Sequence, residues 1–286
     1  MVITATNLTT TDFVAEVRGV TLDDVGKEGV RRRLQYLWLK HQVLLFRGLE
    51  TDDASEKRLV GLSRVFGELE IHSRGEYLSR NAPELLYVSN LKDGDRKIGV
   101  LGDGEAGWHT DQTYRPTPAL GSLLAAAIIP KTGGDTSFAD MYRAYEALPA
   151  SLQERIDGLK AAHSYEHFNK QYSEPANAQQ RVSGTDQIHP LVRVHPITGR
   201  KAIYVTKNVS PYIIGLEPAE GAALLEELNE RSFRPEFVYR HSWTVGDGLL
   251  WDNACVMHRR ESFDPKQTRL MKRSTIRAPE DLAVPF

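Results

Sequence analysis

In Gly107-Trp108-His109-Thr110-Asp111 an imidazole and a carboxylate stand two residues apart. On an extended chain successive side chains alternate between faces, so His109 and Asp111 would project together and could share one ion. The same pair also suits a strand-end histidine hydrogen-bonded to a turn aspartate. Far along the chain, Leu249-Leu250-Trp251-Asp252-Asn253-Ala254-Cys255-Val256-Met257-His258-Arg259 ends an apolar run in a second histidine. Two histidines and one carboxylate on one face of an octahedral ion leave the opposite positions open, the ligand arrangement that suits non-haem Fe(II). Arg269 and Arg273 follow His258. With Lys272 and Arg277 they read most simply as a solvated basic face. If the segment is a strand, however, Arg269, Met271, Arg273 and Thr275 share one side, and two guanidinium groups could point inward. An arginine fork binds a carboxylate or sulfonate through two parallel hydrogen bonds. Thr136, after the Gly133-Gly134-Asp135 turn, could donate a hydroxyl to the same anion or be an ordinary strand residue.

The elements that must position these groups are short and mostly extended. Residues 3–20 alternate loosely and end in a turn at Gly19, and residues 23–41 place Val25, Val30, Leu34, Leu37 and Trp38 near helical spacing. Val43-Leu44-Leu45-Phe46 predicts a buried strand. A second helix, capped by Thr51 or Asp52, would turn Leu59, Leu62, Val65 and Phe66 inward and stop at Gly67. Residues 70–107 are polar and broken by glycine, with one strand at 85–89, and predict a long functional loop. Strand-like runs recur at 119–129, 135–138, 191–194, 202–205, 237–245 and 248–252. Helical patterns occupy 140–159, broken near Pro149, and 218–231. Residues 165–189 read as a second active-site segment, flexible from 169 onward. Many short strands with turn signals predict a mainly β fold with flanking helices, a sandwich or barrel, in a single domain spanning residues 1–286.

Composition narrows the partners. The 36 basic and 38 acidic side chains nearly cancel, giving a formal charge of −2, so no bulk field recruits nucleic acid or an anionic membrane. Cys255 is the only cysteine, which excludes an internal disulfide and suggests a reduced core thiol. The start of the sequence lacks a secretory pattern and no apolar run reaches membrane-spanning length, so the expectation is a cytoplasmic protein without membrane partners.

Several ordered segments then converge. Trp108-His109-Thr110-Asp111, Gly133-Gly134-Asp135-Thr136, Asp140-Met141-Tyr142-Arg143-Ala144-Tyr145-Glu146-Ala147-Leu148-Pro149, Trp251-Asp252-Asn253, His258 and the Arg269/Arg273 pair resemble the taurine dioxygenase and phenoxyacetate dioxygenase family of Fe(II)/2-oxoglutarate-dependent oxygenases. The resemblance implies a distorted double-stranded β-helix, or jelly roll, with iron held by His109, Asp111 and His258. It implies 2-oxoglutarate as co-substrate, its far carboxylate meeting Arg269 and Thr136, and O2 as oxidant. It places Arg273, and His72 in Glu70-Ile71-His72-Ser73, at the acidic end of a small organic substrate such as an aryloxyalkanoate, sulfonate or alkyl sulfate. Ser73-Arg74-Gly75 departs from the taurine enzyme, and Glu105 falls near a polar substrate contact of that enzyme, which turns the expectation away from taurine itself. Retention of Asp111 favours hydroxylation over halogenation, with release of succinate and CO2. Relatives are often dimers or tetramers, so a homo-oligomer is expected. Two other readings fit the residues: a divalent-metal hydrolase using the same three ligands, and a non-catalytic β-sandwich that binds an anion. The remaining histidines, at 41, 163, 167, 189, 195 and 241, have no motif behind them.

Overall fold

Val43-Leu44-Leu45-Phe46 and Gly248-Leu249-Leu250-Trp251 are apolar at successive positions because both faces of the strands they form are covered. The computed structural model describes residues 2–170 and 186–279. The chain opens with β1 (Thr4–Asn7), β2 (Val14–Arg18), α1 (Glu28–His41), β3 (Val43–Phe46) and α2 (Glu56–Arg64). Next come β4 (Leu86–Ser89), three short strands β5 (Lys92–Asp93), β6 (Arg96–Lys97) and β7 (Val100–Leu101), and then β8 (Ala106–His109). The middle holds β9 (Ala119–Ile128), β10 (Thr136–Asp140), α3 (Met141–Glu146), α4 (Ala150–Ile156), β11 (Lys160–His163) and α5 (Tyr165–Asn169). It continues through β12 (Gln187–Pro190), β13 (Val192–Val194), β14 (Lys201–Ile203) and α6 (Pro218–Ser232). The last strands are β15 (Val238–His241), β16 (Gly248–Asp252), β17 (Val256–Arg260) and β18 (Leu270–Arg277).

Mostly β with some helices, the fold rests on two sheets. The larger has eight strands in the order β1-β2-β3-β16-β9-β18-β4-β7, and the smaller has four in the order β15-β10-β17-β8. Period-two alternation assigns the large sheet's side chains to two cores. Val43, Leu45, Leu124, Leu249, Trp251 and Met271 pack with Phe138, Val256 and Met257 of the small sheet. Leu44, Phe46, Leu123, Leu250 and Ile276 meet Leu34, Leu37 and Trp38 of α1 and Leu62 of α2 on the other face. Gly121 in β9 is required there: a Cβ would lie 2.6 Å from Cζ2 of Trp38 and 2.7 Å from the Trp251 carbonyl oxygen. No helix among the described residues is long and apolar enough to cross a membrane.

Some boundaries move for local reasons. The helical pattern over 140–159 divides into α3 and α4 at Pro149, and the Asp140 carboxylate caps α3 by accepting from the backbone N–H groups of Tyr142 and Arg143 at 3.1 Å each. α2 starts at Glu56, later than the Thr51 or Asp52 cap suggests, because Asp52 Oδ1 instead accepts from Ser55 N at 2.8 Å in the preceding turn. Residues 70–107 carry β5, β6, β7 and a short 3-10 turn at Gly75–Tyr77 as well as the expected strand. Of the segment 165–189, α5 opens it and β12 closes it, and residues 171–185 lie outside the described residues.

Candidate metal centre and substrate cavity

β8 and β17 are antiparallel neighbours, and their register sets His109 directly opposite His258. The two rings lie 4.2 Å apart between centroids. The strand ends at His109, so the expected strand alternation does not place Asp111. Other bonds do: Asn253 Oδ1 accepts from Thr110 Oγ1 at 3.0 Å and from Asp111 N at 3.4 Å, and Ser122 Oγ donates to Asp111 Oδ2 at 2.7 Å. Gln112 follows in the left-handed region at φ 59°, turning the chain sharply away. Asp111 Oδ1 is left 3.9 Å from His258 Nε2 and 3.3 Å from Arg273 Nη1.

One donor atom from each of His109, Asp111 and His258 fits within 4.8 Å of the others, and all three residues are buried. Burial pulls the His109 imidazole below its ordinary pKa. Burial and the neighbouring His109 pull His258 down to about 3. Both rings are therefore neutral and able to offer a lone pair. His109 Nδ1 lies 2.7 Å from the Gly107 carbonyl oxygen, to which its N–H donates, which leaves Nε2 as the free donor atom. Burial alone would raise the Asp111 carboxyl. The charges of Arg273 and the two histidines, with the Ser122 bond, outweigh it and hold the group well below the usual carboxylate range. Two neutral imidazoles and one ionised carboxylate converging on one point form a donor set that fits a divalent ion with open coordination positions.

His195, Asp252 and Cys255 form a second buried group with the same spacing. Its polar atoms are already engaged. His195 Nδ1 accepts from the N–H groups of Ile197 and Thr198 at 3.2 and 3.0 Å, so Nε2 carries the proton and donates to Asp252 Oδ2 at 2.9 Å. This group ties the turn after β13 to the end of β16.

A cavity of about 390 Å³ opens beside the metal residues, lined among others by His72, Glu105, His109, Asp111 and Arg273. Tyr114, Tyr165 and Phe168 form aromatic walls. The two tyrosine rings meet edge-on at 4.7 Å, and Phe168 lies 5.0 Å from the His109 ring. His72 Nδ1 accepts from Arg74 N at 3.1 Å. Burial and the nearby Arg273 push that imidazole down to about 4, so it is neutral with Nε2–H as its donor.

Arg269 and Thr136 lie outside this lining. Arg269 is 1% exposed, and its Nε and Nη2 have no hydrogen-bond partner among the described residues. Burial and the charge of Arg260 draw its guanidinium down to about 9. It sits against the Gly133-Gly134 turn, where a Cβ on Gly134 would be 3.4 Å from Arg269 Nε. Thr136 Oγ1 accepts from Trp243 Nε1 at 3.0 Å, which leaves its own O–H to donate. The expected alternation holds on β18. Met271 enters the core between the sheets, whereas Lys272 turns to the opposite face and pairs with Glu56 at 2.7 Å. Of the basic cluster, Arg269 and Lys272 are buried, Arg273 is half-buried and Arg277 alone is exposed. Ser122, Asn253 and the three aromatic walls were not signalled by spacing.

The model of the taurine catabolism dioxygenase TauD, TfdA family matches residues 4–275. An (S)-phenoxypropionate/alpha-ketoglutarate-dioxygenase of Sphingobium herbicidovorans is 33% identical over 92% of this chain and 91% of its own. An alpha-ketoglutarate-dependent 2,4-dichlorophenoxyacetate dioxygenase of Cupriavidus pinatubonensis is 35% identical over 92% and 94%. Among solved structures, AAD-2 in complex with Mn(II) and N-oxalylglycine superposes with a TM-score of 0.81 at 32% identity, covering 98% of this chain and 99% of that one.

Proposed function

The chain belongs to the TauD, TfdA family and is an Fe(II)- and 2-oxoglutarate-dependent dioxygenase, and from that premise we propose that its prime substrate is an aryloxyalkanoate. The observation that carries the substrate class is the cavity. Arg273 lies beside the metal residues there, and Tyr114, Tyr165 and Phe168 supply aromatic wall among polar neighbours that include Arg74, Lys97 and Glu105. A volume of about 390 Å³ lies within the range of sites for small organic molecules.

In this reading His109, Asp111 and His258 hold the iron. Arg269 and the Thr136 hydroxyl receive the far carboxylate of 2-oxoglutarate, and Arg273 with His72 Nε2–H meets the acidic end of the prime substrate. Bound there, iron and 2-oxoglutarate would supply, with O2, the oxidation of an unactivated C–H bond, with succinate and CO2 as the co-products. The chain's own part is to fix the two organic acids on separate arginines, keep both histidines neutral, and line the space around the reacting carbon with rings that exclude water. Hydroxylation beside an ether oxygen leaves a hemiacetal, which breaks to a phenol and an oxo acid. Residues 1–286 form one catalytic domain on a distorted double-stranded β-helix.

The test has two stages. Anaerobic Fe(II) and then 2-oxoglutarate should produce a weak visible charge-transfer band that is lost in His109→Ala and Asp111→Ala. Succinate release should then be triggered by aryloxyacetates and 2-aryloxypropionates above alkanesulfonates and alkyl sulfates. A preference for the sulfur acids would overturn the substrate class while leaving the iron assignment intact.

A further inference from the structure

Leu101 stands at φ 65°, in the left-handed region that a bulky side chain avoids, and Gly102 follows at φ 35°. Such backbone persists only where its surroundings over-determine it, and it concentrates at ligand-binding sites. What surrounds it is Arg260, which is 6% exposed. Its Nη1 donates to the Gly102 carbonyl at 3.0 Å, and its Nη2 donates to the Leu101 carbonyl at 2.9 Å and to the Gly104 carbonyl. Phe263 N adds a bond to the Asp103 carbonyl at 3.3 Å. On the other side, β7 pairs in parallel with β4, Val100 with Val88 and Leu101 with Ser89. One guanidinium of the small sheet therefore ties down a segment whose other edge belongs to the large sheet. Residues 100–105 line the same cavity as His109, Asp111 and Arg273, and Arg260 stands two residues beyond His258 in β17.

We propose that Arg260 is a positioning residue for the prime substrate: by holding the carbonyls of Leu101, Gly102 and Gly104 it fixes the cavity wall in register with the metal strand. The proposal rests on reading that cavity as the prime-substrate site. A guanidinium is suited to this because its planar fork presents several N–H groups at once, whereas a lysine offers one compact ammonium. Arg260 also bears electrostatically on Arg269. A role exerted through charge on the co-substrate side would survive substitution by lysine, and a role as a clamp would not.

The experiment uses full-length Arg260→Lys and Arg260→Met with wild type. Cleavage by an aspartate-specific protease at the Gly102–Asp103 bond reports release of the wall. It should be about tenfold faster in both variants, because cleavage follows the population of the open segment. Anaerobic titration of the Fe(II) protein with 2-oxoglutarate should stay within about twofold of wild type for Arg260→Lys, since the charge near Arg269 is kept. With 4-chlorophenoxyacetate as probe, KM should rise about tenfold while kcat changes less than about threefold, the pattern of lost binding rather than lost chemistry. Unchanged cleavage in Arg260→Lys would overturn the proposal, as would a defect confined to 2-oxoglutarate affinity that lysine restores. Should Arg260→Met fail to fold, rapid cleavage at this bond in wild type would refute the clamp on its own. Failure of wild type to turn over the probe would count against the aryloxyalkanoate reading, with cleavage and co-substrate titration still deciding the role of Arg260.

Discussion

Replacing Arg269 by methionine should weaken 2-oxoglutarate binding and, at the same time, stabilise the ligand-free fold. The guanidinium is buried to 1% exposure with Nε and Nη2 unpartnered among the described residues, so the free protein bears a desolvated charge that nothing there neutralises. A carboxylate arriving on the fork forms two charge-assisted hydrogen bonds, each worth about 1.5–3 kcal/mol. Their joint loss, taken at the low end as about 3 kcal/mol, is on the order of a hundredfold in Kd. Without co-substrate, methionine fills much of the same volume and removes an uncompensated charge, which should raise stability by about 1–3 kcal/mol. Arg269→Lys keeps charge without the fork and should fall between. The affinity arm is read by anaerobic titration of the visible band, and the stability arm by urea unfolding of metal-free protein with and without 2-oxoglutarate. In wild type, co-substrate at a hundred times Kd should add about 2.7 kcal/mol, an increment the variant should lack at that concentration. An Arg269→Met protein that binds 2-oxoglutarate as wild type does, or that is destabilised without it, would refute the argument.

Arg273→Ala should weaken an aryloxyacetate by about tenfold to a hundredfold, the loss of one or two charge-assisted bonds, while changing 2-oxoglutarate affinity far less; succinate-release kinetics with each acid varied in turn would expose the reverse assignment. Ser122→Ala frees Asp111 Oδ2 and should lower Fe(II) affinity by about ten- to a hundredfold, so an unchanged anaerobic metal titration would show that Ser122 does not orient the carboxylate. His72 should contribute to acid sensitivity, because its folded pKa is about 4 against an ordinary value of 6.5. The unfolded chain then binds more protons between those values, so stability falls as pH drops from about 6.5 to 4. His72→Gln should flatten that part of the stability profile, and a profile identical to wild type would reject the assignment.

How much of this could be read from residues alone depends on how local each cause is. The doubly apolar strands β3 and β16, the break at Pro149 and the opposite facing of Met271 and Lys272 are short-range patterns, and these hold. His109 and Asp111 were recognisable by spacing, but the reason they converge is not the one strand geometry suggests. The strand stops at His109, and Asp111 is placed by Asn253 and Ser122, which belong to distant segments. Ser122 is one hydroxyl inside Ala119-Leu120-Gly121-Ser122-Leu123-Leu124, where nothing nearby in sequence marks its partner. Arg260 is similarly opaque, since Arg259-Arg260 looks like an ordinary surface pair until the chain from 101 to 104 is folded over it. The expected long loop over 70–107 contains paired strands, β5 with β6 and β7 in parallel with β4, and the β4–β7 partner is not adjacent in sequence.

His109 and His258 belong to the small sheet, whereas Asp111 is pinned by Ser122 of β9 and by Asn253 just past β16, both on the large sheet. The three donors therefore span the gap between the layers, and their separation measures how one layer is shifted over the other. Any shear of the sandwich becomes a change in coordination geometry. Phe138 and Trp251, which meet across the interior at 5.5 Å between ring centroids, then act as spacers between the layers that carry the donors. The stiffness of a close-packed interior would in that sense hold the three donors at a fixed spacing.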